Sequence, residues 1–103
     1  MSPPSRGAPD GRRIVVKVGS RSLVSAADRF STLARQIAAL RKEGRSVVVV
    51  SSGAIALGRQ RLGFASRPKD MAQLQACAAV GQTLLMRAWE EAFAPHAMPV
   101  AQL

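Results

Sequence analysis

Two short stretches bring together residue types suited to holding anions. In the first, Lys17-Val18-Gly19-Ser20, an ammonium near the end of an apolar run is followed at once by a glycine turn. Lysine is a compact charge able to neutralise a phosphoryl group in transfer, and glycine lets backbone N–H groups approach phosphate oxygens closely. A lysine there would equally be satisfied by reaching solvent past its apolar neighbours. In the second stretch, Ser51-Ser52-Gly53-Ala54, a small polar turn gives way to a helical pattern. The first N–H groups of a helix lack intrahelical partners and carry the positive end of its dipole, so such an entrance attracts carboxylate or phosphate. Hydroxyls of Ser51 and Ser52 would add directional hydrogen bonds, and Gly53 removes a side chain that would block approach. The competing reading is ordinary N-capping of the helix by a serine.

Neither stretch is a G-x-x-x-x-G-K-[ST] loop or a G-x-G-x-x-G dinucleotide turn. A nucleophile elbow is disfavoured too, because the glycine that should precede a catalytic serine is Val49 for Ser51 and Val50 for Ser52. His96, the only histidine, lies in an Ala/Pro-flanked loop and reads as structural or solvent-exposed. Cys77 is the only cysteine, which excludes an intrachain disulfide and a cysteine-based zinc cluster. It falls on the apolar side of a helix and reads as a small core residue, in a reducing, cytoplasmic setting.

The elements that must position these residues follow from apolar spacing. Ile14 to Val18 is a β-branched run closed by Gly19, a buried first strand. From Ala27 to Glu43 the apolar residues Phe30, Leu33, Ala34, Ile37 and Leu40 recur at helical spacing, with Gly44 as the stop. Ser46 to Val50 is uniformly β-branched after its serine, as in a parallel strand covered on both faces. Strand, helix, strand is a βαβ unit and points to an α/β sheet. Both anion stretches then sit at the carboxyl edge of that sheet, where open α/β sheets bind ligands.

Beyond Ala54 a helical segment ends near Gly63, Arg67 to Asp70 is a polar loop, and Met71 to Phe93 is a long helix stopped by Pro95. Gly81 interrupts that helix at a cost of about 1 kcal/mol relative to alanine, which calls for close packing or ligand approach and turns Gln82 and Thr83 toward a cleft. Met98 to Leu103 reads as the opening of a third strand.

The chain has 103 residues, 48% hydrophobic and 20% charged, within the range of an ordinary globular protein. Its net charge of +9, from 15 Lys and Arg against 6 Asp and Glu, is scattered without a polybasic run and with few aromatic partners. That distribution favours a solvated Arg-rich surface over a nucleic-acid footprint. No stretch has the length of a membrane span, and residues 1–13 read as a loose leader lacking the apolar centre of a signal peptide.

In order along the chain, Ile14-Val15-Val16-Lys17-Val18-Gly19-Ser20, then VVVVSSGAIALG from Val47 to Gly58, then Ala78-Ala79-Val80-Gly81-Gln82 resemble glutamate 5-kinases of the amino acid kinase superfamily. The resemblance covers essentially Ile14 to Leu103. It implies a three-layer αβα sandwich of which residues 14–103 are the N-terminal, amino-acid-binding part. It further implies ATP as co-substrate, Mg2+ carried by the nucleotide, and ATP-dependent phosphorylation of the L-glutamate γ-carboxylate at the start of proline biosynthesis. By the same likeness Lys17 is the catalytic contact to the transferring phosphate with Gly19 and Ser20 beside it, and Ser52, Gly53 and Ala54 hold glutamate. No residue is assigned to a metal, no nucleic acid or membrane is implied, and the family generally forms homo-oligomers. The residues that complete the family's glutamate and nucleotide sites have no counterpart here. The chain is therefore expected to be an incomplete domain with little or no kinase turnover by itself. The alternative is a non-catalytic anion- or nucleotide-binding α/β module, or the product of a gene remnant.

Overall fold

A computed structural model describes residues 13–19 and 28–102; all of the expected leader but Arg13, as well as Ser20, the expected helix start at Ala27 and Leu103, lie outside them. Strand β1 spans Arg13–Val18, helix α1 Arg29–Lys42, strand β2 Ser46–Ser51, helix α2 Ala54–Leu62 and helix α3 Met71–Phe93. A 3-10 turn, Ala94–His96, follows. The first strand thus begins at Arg13, one residue ahead of the expected start.

β1 and β2 pair in parallel with Ile14 opposite Val47, Lys17 opposite Val50 and Val18 opposite Ser51. Successive side chains in a strand point to opposite faces, so one face of the ribbon carries Ile14, Val16, Val18, Val47, Val49 and Ser51. That face meets the apolar stripes of α1 and α3. The core gathers Val18, Ala34, Ile37, Leu85, Trp89, Ala92 and Phe93, with Phe30, Leu33, Val16 and Val49 packed around it. Trp89 is its centre: Phe30 meets it edge-on with ring centroids 4.8 Å apart, and Phe93 stacks at 5.9 Å.

The α/β class and parallel pairing are as the sequence leads one to expect. The expectations that β1 is buried and that β2 is covered on both faces are not met among the described residues, since Val15 of β1 and Val48 and Val50 of β2 are exposed on the other face. The physical reason is that α1 and α3 both lie on one side, leaving a sheet and one helical layer. Nor do Met98 to Gln102 form the expected third strand: they make no ladder, and among the described residues the sheet has two strands. Apolar alternation places Met98 and Val100 against the core without bringing the backbone within pairing distance of β2. A cavity of about 670 Å³ separates them, lined by β2, by Leu85, Trp89 and Phe93 of α3, and by Met98 to Gln102.

Helix ends follow local chemistry. The Asp70 carboxylate accepts the Gln73 N–H at 3.3 Å and caps α3. α1 closes on Glu43, and the following Gly44 takes φ +83°, the left-handed conformation that favours glycine. Among the described residues two arginines serve the backbone: Arg41 donates to the Arg45 carbonyl at 3.0 Å, and Arg59 donates to those of Phe64 and Ala65 at 3.0 and 3.2 Å.

Candidate functional site

The end of β1 and the entrance of α2 are tied together by one carbonyl. Val18 O accepts the backbone N–H of Ser52 at 3.2 Å and the Ser52 hydroxyl at 3.5 Å. The parallel ladder therefore runs one residue past β2 and fixes the Ser52 turn beside the Lys17-Val18-Gly19 segment at the carboxyl edge of the sheet. Lys17 is exposed, on the face shared with Val15 and Val50. Gly19 is exposed, and nothing lies within 4 Å of where a Cβ would stand, so open space borders it. Ser20 falls outside the described residues.

The two serines of the turn have different duties. Ser51 lies on the core face opposite Val18, and its Oγ accepts a long hydrogen bond from Trp89 Nε1 at 3.4 Å. This corrects the expectation that Ser51 offers its hydroxyl to a ligand: the register turns it inward. Substituting Ser51→Ala should leave the buried indole N–H without a partner and cost about 1–3 kcal/mol. Urea denaturation read by far-UV circular dichroism checks this, and the loss should largely vanish in a Trp89→Phe background.

Ser52 is exposed, yet neither serine caps the helix. The N-cap of α2 is Gly53, which makes no side-chain cap, and no acidic residue stands in the first turn. Capping by a serine is thereby excluded, and the first N–H groups of α2 have no side-chain acceptor from the described residues. Gly53 has φ +111°, which adds a reason for glycine beyond clearance, because L side chains rarely adopt that backbone. Its carbonyl accepts from Leu57 N at 2.9 Å, starting the helix.

α2 is held against α3 by two glycines. A methyl group on Gly81 would overlap the Ala54 carbonyl and stand 2.8 Å from Gly58 N; one on Gly58 would overlap the Cys77 carbonyl and stand 2.6 Å from its carbon. The interruption of α3 at Gly81 thus serves close helix packing, one of the two readings of that glycine, and Cys77 is fully buried as expected. The contribution of Gly58 was not foreseen, although Ala54 and Gly58, like Cys77 and Gly81, are small residues one helical turn apart, which is the available signal. Gln82 and Thr83 do border a shallow cleft with Met86, Arg87, Glu90 and Gln102, away from the Ser52 turn.

The sequence profile of the amino acid kinase family matches residues 12–103, and the chain belongs to that family. Among its curated relatives, a glutamate 5-kinase of Thermus thermophilus is 56% identical over 96 residues, covering 89% of this chain and 26% of that protein. One from Caulobacter vibrioides is 52% identical over 110 residues, covering 100% of this chain and 29% of its own length, and one from Pelobacter propionicus is 50% identical over 97 residues. The chain spans about a quarter of the length of these relatives.

Proposed function

We propose that this chain supplies the glutamate-holding part of a glutamate 5-kinase site, with ATP as the phosphoryl donor. The observation that supports it most is the uncapped first turn of α2, tied through Val18 O to the segment that carries Lys17. In this reading the amides that open α2 hold the substrate's carboxylate together with the Ser52 hydroxyl, which gives up its long bond to Val18 O in order to donate to it. A γ-carboxylate oxygen forms the new bond to the γ-phosphorus of ATP while the bond to the β,γ-bridging oxygen breaks and ADP leaves. Lys17, with Gly19 and Ser20 beside it, offsets negative charge on the phosphoryl oxygens as they pass between donor and acceptor.

In this reading Mg2+ would arrive on the ATP phosphates and contribute charge neutralisation there. No helix of the described residues is long and apolar enough to cross a membrane. The reading takes the working enzyme as a cytoplasmic homo-oligomer acting on glutamate and ATP rather than on nucleic acid.

One ammonium and one anion turn cannot by themselves hold two substrates in line, so the 103-residue polypeptide alone should show little turnover. Calorimetry with L-glutamate and with ATP in separate titrations tests the assignment. Glutamate is expected to bind weakly, with Kd on the order of millimolar, and Ser52→Ala should weaken it roughly tenfold by removing a hydrogen bond to a charged group. Heat with ATP but none with glutamate would overturn this reading in favour of a nucleotide-binding module.

A further inference from the structure

We infer that Gly81, although it lies on α3 and offers no group to a ligand, is a positioning residue for the anion turn: its missing side chain lets the Ala54 carbonyl, and with it the first amides of α2, settle beside the end of β1. The inference rests on the glutamate-holding role assigned above to Ser52, Gly53 and Ala54.

The geometry restricts how a side chain at position 81 could be accommodated. Its Cβ would overlap the oxygen of Ala54, and the next obstacles, the Ala54 carbonyl carbon at 2.5 Å and Gly58 N at 2.8 Å, are backbone as well. Neither can rotate aside as a flexible side chain would, so relief requires α2 to move as a body. α3 is the less movable partner, being 23 residues long and anchored in the core by Leu85, Trp89 and Phe93. α2 has nine residues, and Gly58 is its only buried one. Displacement therefore falls on α2 and is felt at the turn, because Ala54 is its first residue. Ser52 is held differently, through Val18 O, so a shift of α2 separates the amides of Gly53 and Ala54 from the Ser52 hydroxyl instead of carrying all three along.

Two-dimensional amide NMR of the 15N-labelled chain decides it. In Gly81→Ala without ligand, the amides of residues 53–58 should move while those of β1 stay in place, and the L-glutamate Kd should rise roughly tenfold or more. Ile37→Val, a core change on α1, serves as the control and should leave that Kd unchanged, since lost packing alone does not alter the affinity of molecules that remain folded. A folded Gly81→Ala with wild-type glutamate affinity would overturn the inference. If Gly81→Ala does not fold, the wild-type titration decides: Cys77 and Gly81 amides, which touch no ligand, should shift at the same glutamate concentrations as Gly53 and Ala54, and their staying still while Gly53 and Ala54 move would refute the coupling. If the wild-type turn shows no response to glutamate, the functional reading fails; ligand-free Gly81→Ala then decides the positional claim, with an unmoved turn refuting it, and an unfolded variant refuting any role distinct from folding.

Discussion

Replacing Trp89 by alanine is expected to unfold most of the chain at ambient temperature. The indole is buried at the centre of the core, with Phe30 against its edge and Phe93 stacked on it. Truncating a buried tryptophan costs about 3–5 kcal/mol, and loss of the aromatic pairs lies within that figure. A small domain has a total stability of only about 5 kcal/mol or a little more, and here an uncovered sheet face reduces what burial can contribute. Trp89→Phe keeps a ring in place and gives up chiefly the N–H to Ser51, so it should cost about 1–2 kcal/mol. Thermal unfolding followed by circular dichroism separates the two variants. A folded Trp89→Ala whose Tm falls by less than roughly 10 °C would show that the core does not centre on this side chain.

Gly58→Ala is the second large effect, and it runs against helix propensity. Alanine in a helix interior should gain about 1 kcal/mol over glycine. At Gly58 that gain is overwhelmed, because the added methyl would overlap the Cys77 carbonyl, and a backbone cannot turn away as a side chain does. A net loss of about 2 kcal/mol or more is expected from overpacking with incomplete relief. A sharper sign is chemical: Cys77 is fully buried, and its thiol should become accessible to a labelling reagent in Gly58→Ala under conditions where the unsubstituted chain is inert. A more stable Gly58→Ala with an unreactive Cys77 would show that the two helices are farther apart than this packing requires.

What could be read from the residues, and what could not, divides along local against tertiary causes. α3 was legible over its whole length, Met71–Phe93, since its apolar stripe, the polar loop before it and Pro95 are all local signals, while the capping role of Asp70 within that loop went unread. The β-branched run of β2 and the glycine stop at Gly44 were legible for the same reason. The inward turn of Ser51 was not, because it depends on which residue of β1 lies opposite, and that is a matter of pairing register. The tail from Met98 to Gln102 misled for a related reason. Alternating apolar residues show which side chains seek the core, and they do not show whether the backbone has a partner within reach. Gly53 was recognised as a residue that opens the turn, while its φ of +111° is a property of the folded backbone. Gly81 was marked by its cost in a helix interior, but only the folded chain shows that what approaches it is the Ala54 carbonyl.

A crystal structure of this chain grown with saturating L-glutamate bears most directly on the glutamate-holding role of the Ser52 turn. The substrate's carboxylate is expected within hydrogen-bond distance, about 3 Å, of the amides that open α2, with the Lys17 ammonium directed to the same rim and the cavity beside Met98 to Gln102 empty of ligand. Glutamate seated in that cavity instead, or a Lys17 ammonium turned to the opposite side of the sheet from the bound carboxylate, would contradict it.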